Sequence, residues 1–344
     1  MNLSSTIRKR SVKSYDPDIA YLLSLISTWC YADQGVLKTV LERASMGFLD
    51  PGIQPYTVTN PALPVDANAF LIRLDKGFHV LAFRGTEPTH LVDVLTDALV
   101  EKHIWNVDED EWVHRGFFLS LDVLWPEIFA GLSELEGDLY VTGHSLGGAM
   151  AVLAGRRILD NRSQLASAKL RGVYTYGQPM VGNRKFAEQS KKLNLRRHVY
   201  GKDLVAYLPP IGVGAGDYVH FGNLYKAEDG EEEVWTHMEG ESNKPKSCLI
   251  SEILPAFLTP ITERLSFQSY PLLAMSYTLR TFGLAFSLSS LRDMLKVPAV
   301  MLRKLSFEDH IPTHYVDISR ASRDEDGHSE SASKRRPVRS AEAA

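Results

Sequence analysis

The chain has 344 residues, 44% of them hydrophobic and 23% charged, with a formal net charge of −4. That balance specifies a globular protein with a sizeable core, excludes a fibrous or wholly disordered one, and gives no electrostatic footprint for nucleic acid. Two cysteines, Cys30 and Cys248, exclude a disulfide framework and a cysteine-based zinc site.

Arg8, Lys9, Arg10 and Lys13 precede an apolar stretch from Ile19 to Tyr31. Asp16 and Asp18 interrupt the approach and no small-x-small site precedes Asp33, so a first packing helix is expected rather than a signal peptide. With no leader and no clear transmembrane run, the default expectation is a cytoplasmic protein. Residues 19–47 carry helical periodicity. Pro51, Gly52, Pro55, Pro61 and Pro64 then punctuate an expected loop. Residues 69–74 and 78–83 read as strands joined by Asp75-Lys76-Gly77, a hairpin signal. A helical segment is expected over about 89–99, and Asp108 to Glu111 an exposed charged loop. A helix opens at His114-Arg115-Gly116-Phe117, and strands follow at 138–142, 172–177 and 197–201 with helices between them. That alternation predicts an α/β fold with a largely parallel sheet and helices on both faces. Beyond Ser319 the chain loses its large apolar residues, so 319–344 is expected to be a disordered polar tail.

The chemistry concentrates at Val141-Thr-Gly-His-Ser-Leu-Gly-Gly148. A β-branched strand runs into Gly-x-Ser-x-Gly and on into a helix of small residues, the arrangement that exposes a serine at a sharp turn. Gly143, His144 and Gly147 build the elbow around Ser145, and the first helical N–H groups lie close to its hydroxyl. A serine needs a base, and the base an orienting acid, which in this fold class follow in the order serine, acid, histidine. Asp203, just past the 197–201 strand, is the preferred acid, with Asp217 as runner-up. Of the later histidines, His310 lies in the last ordered stretch and is preferred, leaving His220, His237 and His314 open; His328 sits in the polar tail.

These residues fall within a longer series of blocks: Phe83-Arg-Gly-Thr86, Val92-Asp-Val-Leu-Thr-Asp97, Val113-His-Arg-Gly-Phe117, Tyr176-Gly-Gln-Pro-Met-Val-Gly-Asn183, Lys202-Asp-Leu-Val205 with Leu208-Pro-Pro210, and Asp309-His310 with Tyr315. Together with the elbow they resemble the class 3 lipases, the family of the filamentous-fungal triacylglycerol lipases, from about 80 to 315. The resemblance implies an α/β-hydrolase fold and a triad of Ser145, Asp203 and His310. It makes His220 a recurring non-catalytic histidine. It implies an oxyanion hole from the backbone N–H groups of Thr86 and Leu146 and a lid over about 87–98. It implies a serine carboxylic-ester hydrolase acting on acylglycerol or phospholipid, with no metal or cofactor.

Two departures from the family stand out. Asp93-Val94 replaces the usual Asp-Trp pair of the lid region, and an apolar insertion over 247–303 separates the acid from the histidine. Three readings of that insertion stay open: helices capping the core, a surface docking on a membrane or lipid droplet, and a membrane hairpin. Residues 1–318 are thus expected to form one hydrolase domain containing the insertion. The rival function is a non-catalytic lipid- or protein-binding relative that kept the fold.

Overall fold

The structure, a computed structural model, describes residues 15–43, 51–60, 65–75, 77–85, 102–203, 205–208, 218–228, 234–238 and 308–333. The expected lid, Thr86, Asp217, Cys248, the 247–303 insertion and residues 334–344 lie outside them.

The apolar N-terminal stretch forms helix α1 (Pro17–Trp29), capped by the Asp16 side chain, and a separate helix α2 (Gln34–Arg43) follows. The expected proline loop contains strand β1 (Gly52–Asn60) instead. It lies at one end of the sheet, where Pro55 costs little because an edge strand has ladder positions that need no N–H donor. Strands β2 (Val65–Asp75) and β3 (Phe78–Phe83) form the expected hairpin.

Strands β4 (Lys102–Asn106) and β5 (Glu111–His114) make a second hairpin, with Asp108 to Asp110 at its tip. Glu111 corrects the expected exposed loop: it is buried and takes a salt bridge from Arg156 at 3.0 Å. Helices α3 (Arg115–Asp122) and α4 (Trp125–Ser133) lead to β6 (Gly137–His144) and then α5 (Leu146–Asp160). Next come β7 (Ala168–Tyr176), β8 (Gly182–Asn183), α6 (Arg184–Gln189) and β9 (Leu195–Tyr200). Strands β10 (Tyr218–Val219), β11 (Asn223–Ala227) and β12 (Thr236–Met238) complete the sheets.

The main sheet has the order β1-β2-β3-β6-β7-β9-β11-β12, and a smaller one the order β10-β8-β5-β4. Neighbouring strands from β3 to β11 in the main sheet run parallel, while its outer strands are antiparallel. Side chains of the parallel strands alternate between two cores, as the strand period of two requires. Leu139 and Val141 of β6 pack with Leu81, Phe83 and α3 to α5 on one face. Tyr140 packs with Val80, Tyr174 and α1 on the other.

The expected tail from Ser319 is corrected in its first part. Helix α7 (Pro312–Ser333) runs through it. Tyr315, Val316, Ile318 and Ser319 are buried, and the Ser319 hydroxyl accepts the Trp235 indole N–H at 2.9 Å. Arg323 reaches Asp18 of α1 at 2.8 Å. Sparse apolar residues suffice here because they share one turn-and-a-half, and the polar remainder is held by side-chain bonds. No single described helix is long and apolar enough to cross a membrane.

Candidate active site

Ser145 stands between β6 and α5 with φ +59°, a backbone region that non-glycine residues rarely occupy. Packing enforces it. A Cβ on Gly143 would strike the backbone of Gly147 and Gly148, and one on Gly147 would strike the backbone of Phe83 and Gly85. The elbow is thus pressed against the end of β3 on one side and its own strand on the other. The Ser145 N–H donates to the Tyr176 carbonyl at 2.9 Å, which fixes the turn to β7. Leu146 opens α5, in the first turn where backbone N–H groups lack intrahelical acceptors.

Asp203 lies just beyond β9 and is fully buried. Its Oδ1 accepts the Val205 N–H at 2.8 Å. Its Oδ2 lies 2.8 Å from His310 Nδ1 and also accepts the Tyr315 hydroxyl. Burial, with Asp203 next, pushes the Tyr315 phenol well above its ordinary pKa, so it stays a donor. A carboxylate oxygen accepts from His310 Nδ1–H, so in the neutral tautomer of this ring Nε2 carries the lone pair. Nε2 of His310 and Oγ of Ser145 are both buried and without a hydrogen-bond partner among the described residues. Gly177, at φ +58°, leaves the space this pair occupies, since a Cβ there would sit 2.5 Å from Asp203 Oδ2 and 2.7 Å from His310 Nδ1.

The structure therefore brings Asp203 and His310 together, with the His144 ring of the elbow tilted by 32° against His310 at 4.5 Å between centroids. The other histidines are placed elsewhere. His220 binds the Ala206 carbonyl through Nε2, and burial, with Arg197 next, holds it neutral. His314 stacks on Tyr200, and His237 stacks on Tyr225 from the far edge of the sheet. Thr86 lies outside the described residues. Gly85 before it is buried beside the elbow, where an added Cβ would be 3.3 Å from Ser145 Cβ. Sequence reasoning did not single out Tyr31, Gly177 or the hydrogen bond of Tyr315. Their partners are more than 20 residues away along the chain, and no local pattern marks them.

A parallel sheet, a positive-φ serine between strand and helix, and a buried acid–histidine pair after it define the α/β-hydrolases. Within that class, residues 80–213 match the family described as "Lipase (class 3)". The lipase of Rhizopus niveus is 32% identical over 164 residues, 45% of this chain and 41% of its own length. Triacylglycerol lipase OBL1 of Arabidopsis thaliana is 38% identical over 135 residues, 35% of this chain and 25% of its own. These matched segments thus span less than half of either relative. Among solved structures, lipase II from Rhizopus niveus superposes with a TM-score of 0.55 at 23% identity, covering 74% of this chain and 91% of that one.

Proposed function

We propose that this chain is a serine carboxylic-ester hydrolase that cleaves acyl esters of glycerolipids through an acyl-enzyme. Ser145 Oγ attacks the ester carbonyl while His310 Nε2 takes its proton. Asp203 holds the imidazole in the required tautomer and stabilises the imidazolium as it forms. The backbone N–H groups of Leu146 and Thr86 take up the oxyanion, each contributing about 3 kcal/mol of transition-state stabilisation. His310 returns the proton to the departing alcohol, and water, activated by the same base, then releases the fatty acid. The apolar stretch 247–303 is assigned to meeting a lipid surface, and the chain to a peripheral rather than membrane-spanning life in the cytoplasm.

The single observation that carries this reading is the buried His310–Asp203 hydrogen bond, with His310 Nε2 and Ser145 Oγ both unpaired among the described residues. A nucleophile and a base awaiting substrate present such unpaired atoms. Purified wild type and Ser145→Ala are to be assayed on short-chain and long-chain glycerol esters. The expected result is hydrolysis by wild type and a loss of at least about 10³-fold in the variant, with unchanged circular dichroism. Equal activity of the two proteins would overturn the assignment, and an inert wild type would point to the non-catalytic relative.

A further inference from the structure

His144 sits beside the nucleophile in sequence and beside the base in space, and both of its ring nitrogens are engaged. Nε2 lies 2.8 Å from the main-chain carbonyl oxygen of His310. Nδ1 lies 3.0 Å from the Tyr31 hydroxyl. A carbonyl only accepts, so Nε2 carries the proton and Nδ1 accepts from Tyr31. Burial, reinforced by His310 and opposed by the hydrogen bond to its carbonyl, holds the imidazole neutral well below its ordinary pKa.

We infer that His144 is a positioning residue for the general base: its Nε2–H holds the His310 backbone against the nucleophile elbow, and Tyr31 fixes the tautomer that makes this hold. The inference rests on the reading of Ser145, Asp203 and His310 given above.

His310 ends a single 3-10 turn, Glu308–His310, and lies 107 residues beyond Asp203. So distant a return has no local scaffold and must be held by its own contacts. Asp309 accepts the Lys202 N–H at 2.7 Å, and Thr28 of α1 donates to the Pro312 carbonyl at 3.2 Å. The His310 ring bonds Asp203. Those three bonds tie the turn to the end of β9 and to α1. The bond from His144 ties it to the elbow, one peptide from Ser145, and so governs the approach of Nε2 to Oγ.

Neutrality matters as well as geometry. When His310 takes the serine proton it becomes a cation, and the ring packed against it at 4.5 Å is an uncharged one. A second imidazolium there would oppose the transfer. A misplacement of about 1 Å at such a site costs on the order of 10²-fold in rate.

A buried histidine satisfied at both nitrogens is also a plain packing element, and the test separates the two roles. His144→Gln keeps an amide donor near the Nε2 position. His144→Met keeps most of the volume and donates nothing. On a short-chain ester, His144→Met is expected to lose at least about 30-fold in kcat with KM within about threefold, and fluorophosphonate labelling of the serine should slow in parallel. His144→Gln should recover at least about a third of the wild-type kcat. If His144→Met does not fold, His144→Asn replaces it, because its shorter amide falls short of the His310 carbonyl. A His144→Met enzyme with wild-type kcat would overturn the inference, as would equal losses in the glutamine and methionine variants. An active Ser145→Ala would instead overturn the triad on which it rests, so the two failures are distinguishable.

Discussion

His310 and His314 are four residues apart and chemically identical, yet their surroundings assign them different work. His310 is buried, bonds a buried carboxylate and keeps one nitrogen open; His314 is partly exposed and stacks on Tyr200 at 5.0 Å. A triad base needs an acid behind it, and of these two histidines it is His310 that bonds one, Asp203. His310→Ala is therefore expected to lower kcat by at least about 10³-fold, and His314→Ala to keep it within about threefold. Steady-state kinetics on a soluble ester checks this, and the reverse ranking would contradict it. At this scale the sequence was informative where the chain order of motifs matters. Ser145 stands at the elbow after β6, Asp203 just past β9 and His310 at the end of a 3-10 turn before α7. Tyr31 and Tyr315 touch His144 and Asp203 across 113 and 112 residues. Such a contact exists only once the sheet has assembled, so neither tyrosine's bond was legible.

Between elements, Arg156 of α5 clamps the second hairpin to the nucleophile helix. Its guanidinium bonds Glu111 of β5 at 3.0 Å, Asp160 at 2.9 Å and the Ser190 hydroxyl at 3.1 Å. Burial raises the Glu111 pKa and Arg156 opposes that rise, so removing the arginine strands a buried carboxylate. Arg156→Met is expected to cost about 3 kcal/mol in unfolding free energy, and the double variant with Glu111→Gln to regain most of it. Urea midpoints of the single and double variants measure this. Equal losses in both would show that packing, not charge, carries the contact. The strands with plain apolar runs, β3, β6 and β7, were legible because burial on both faces leaves few polar interruptions in their central residues. Strand β1 was not, because prolines hide an edge strand among turn signals. Hairpin β4–β5 was not, because Glu111 reads as solvated until Arg156 is seen opposite. Helix α7 was not, because its holding bonds to Trp235, Tyr21 and Asp18 involve polar side chains.

Over the whole molecule, three neutral histidines, His144 and His198 buried and His220 half-buried, contribute to the response to acid. Burial is the first cause in each: it holds His144 and His220 well below their ordinary pKa and takes His198 to about 3. In the unfolded chain these groups titrate near 6.5, so below that pH the unfolded state binds protons the folded state refuses. Stability then rises with pH through this window and is lost as pH falls below about 6.5, until the folded-state values are reached. From pH 7 to pH 5 His198 accounts for about 2 kcal/mol, and His144 and His220 act in the same direction. Urea unfolding at the two pH values is expected to show a marked loss at pH 5. His198→Gln, which removes one titrating group, should narrow the difference, and an unchanged difference would contradict this origin.

The central claim is that Ser145 is an activated nucleophile served by His310 and Asp203, and one measurement bears on it without any choice of substrate. Wild type, Ser145→Ala and His310→Ala are treated with a fluorophosphonate probe, and the adduct is located by mass spectrometry of the peptides. A single adduct on Ser145 in wild type, none in Ser145→Ala and labelling slowed by at least about 10²-fold in His310→Ala is the expected result. Labelling that persists in Ser145→Ala, or a wild-type protein that does not react, would contradict the account.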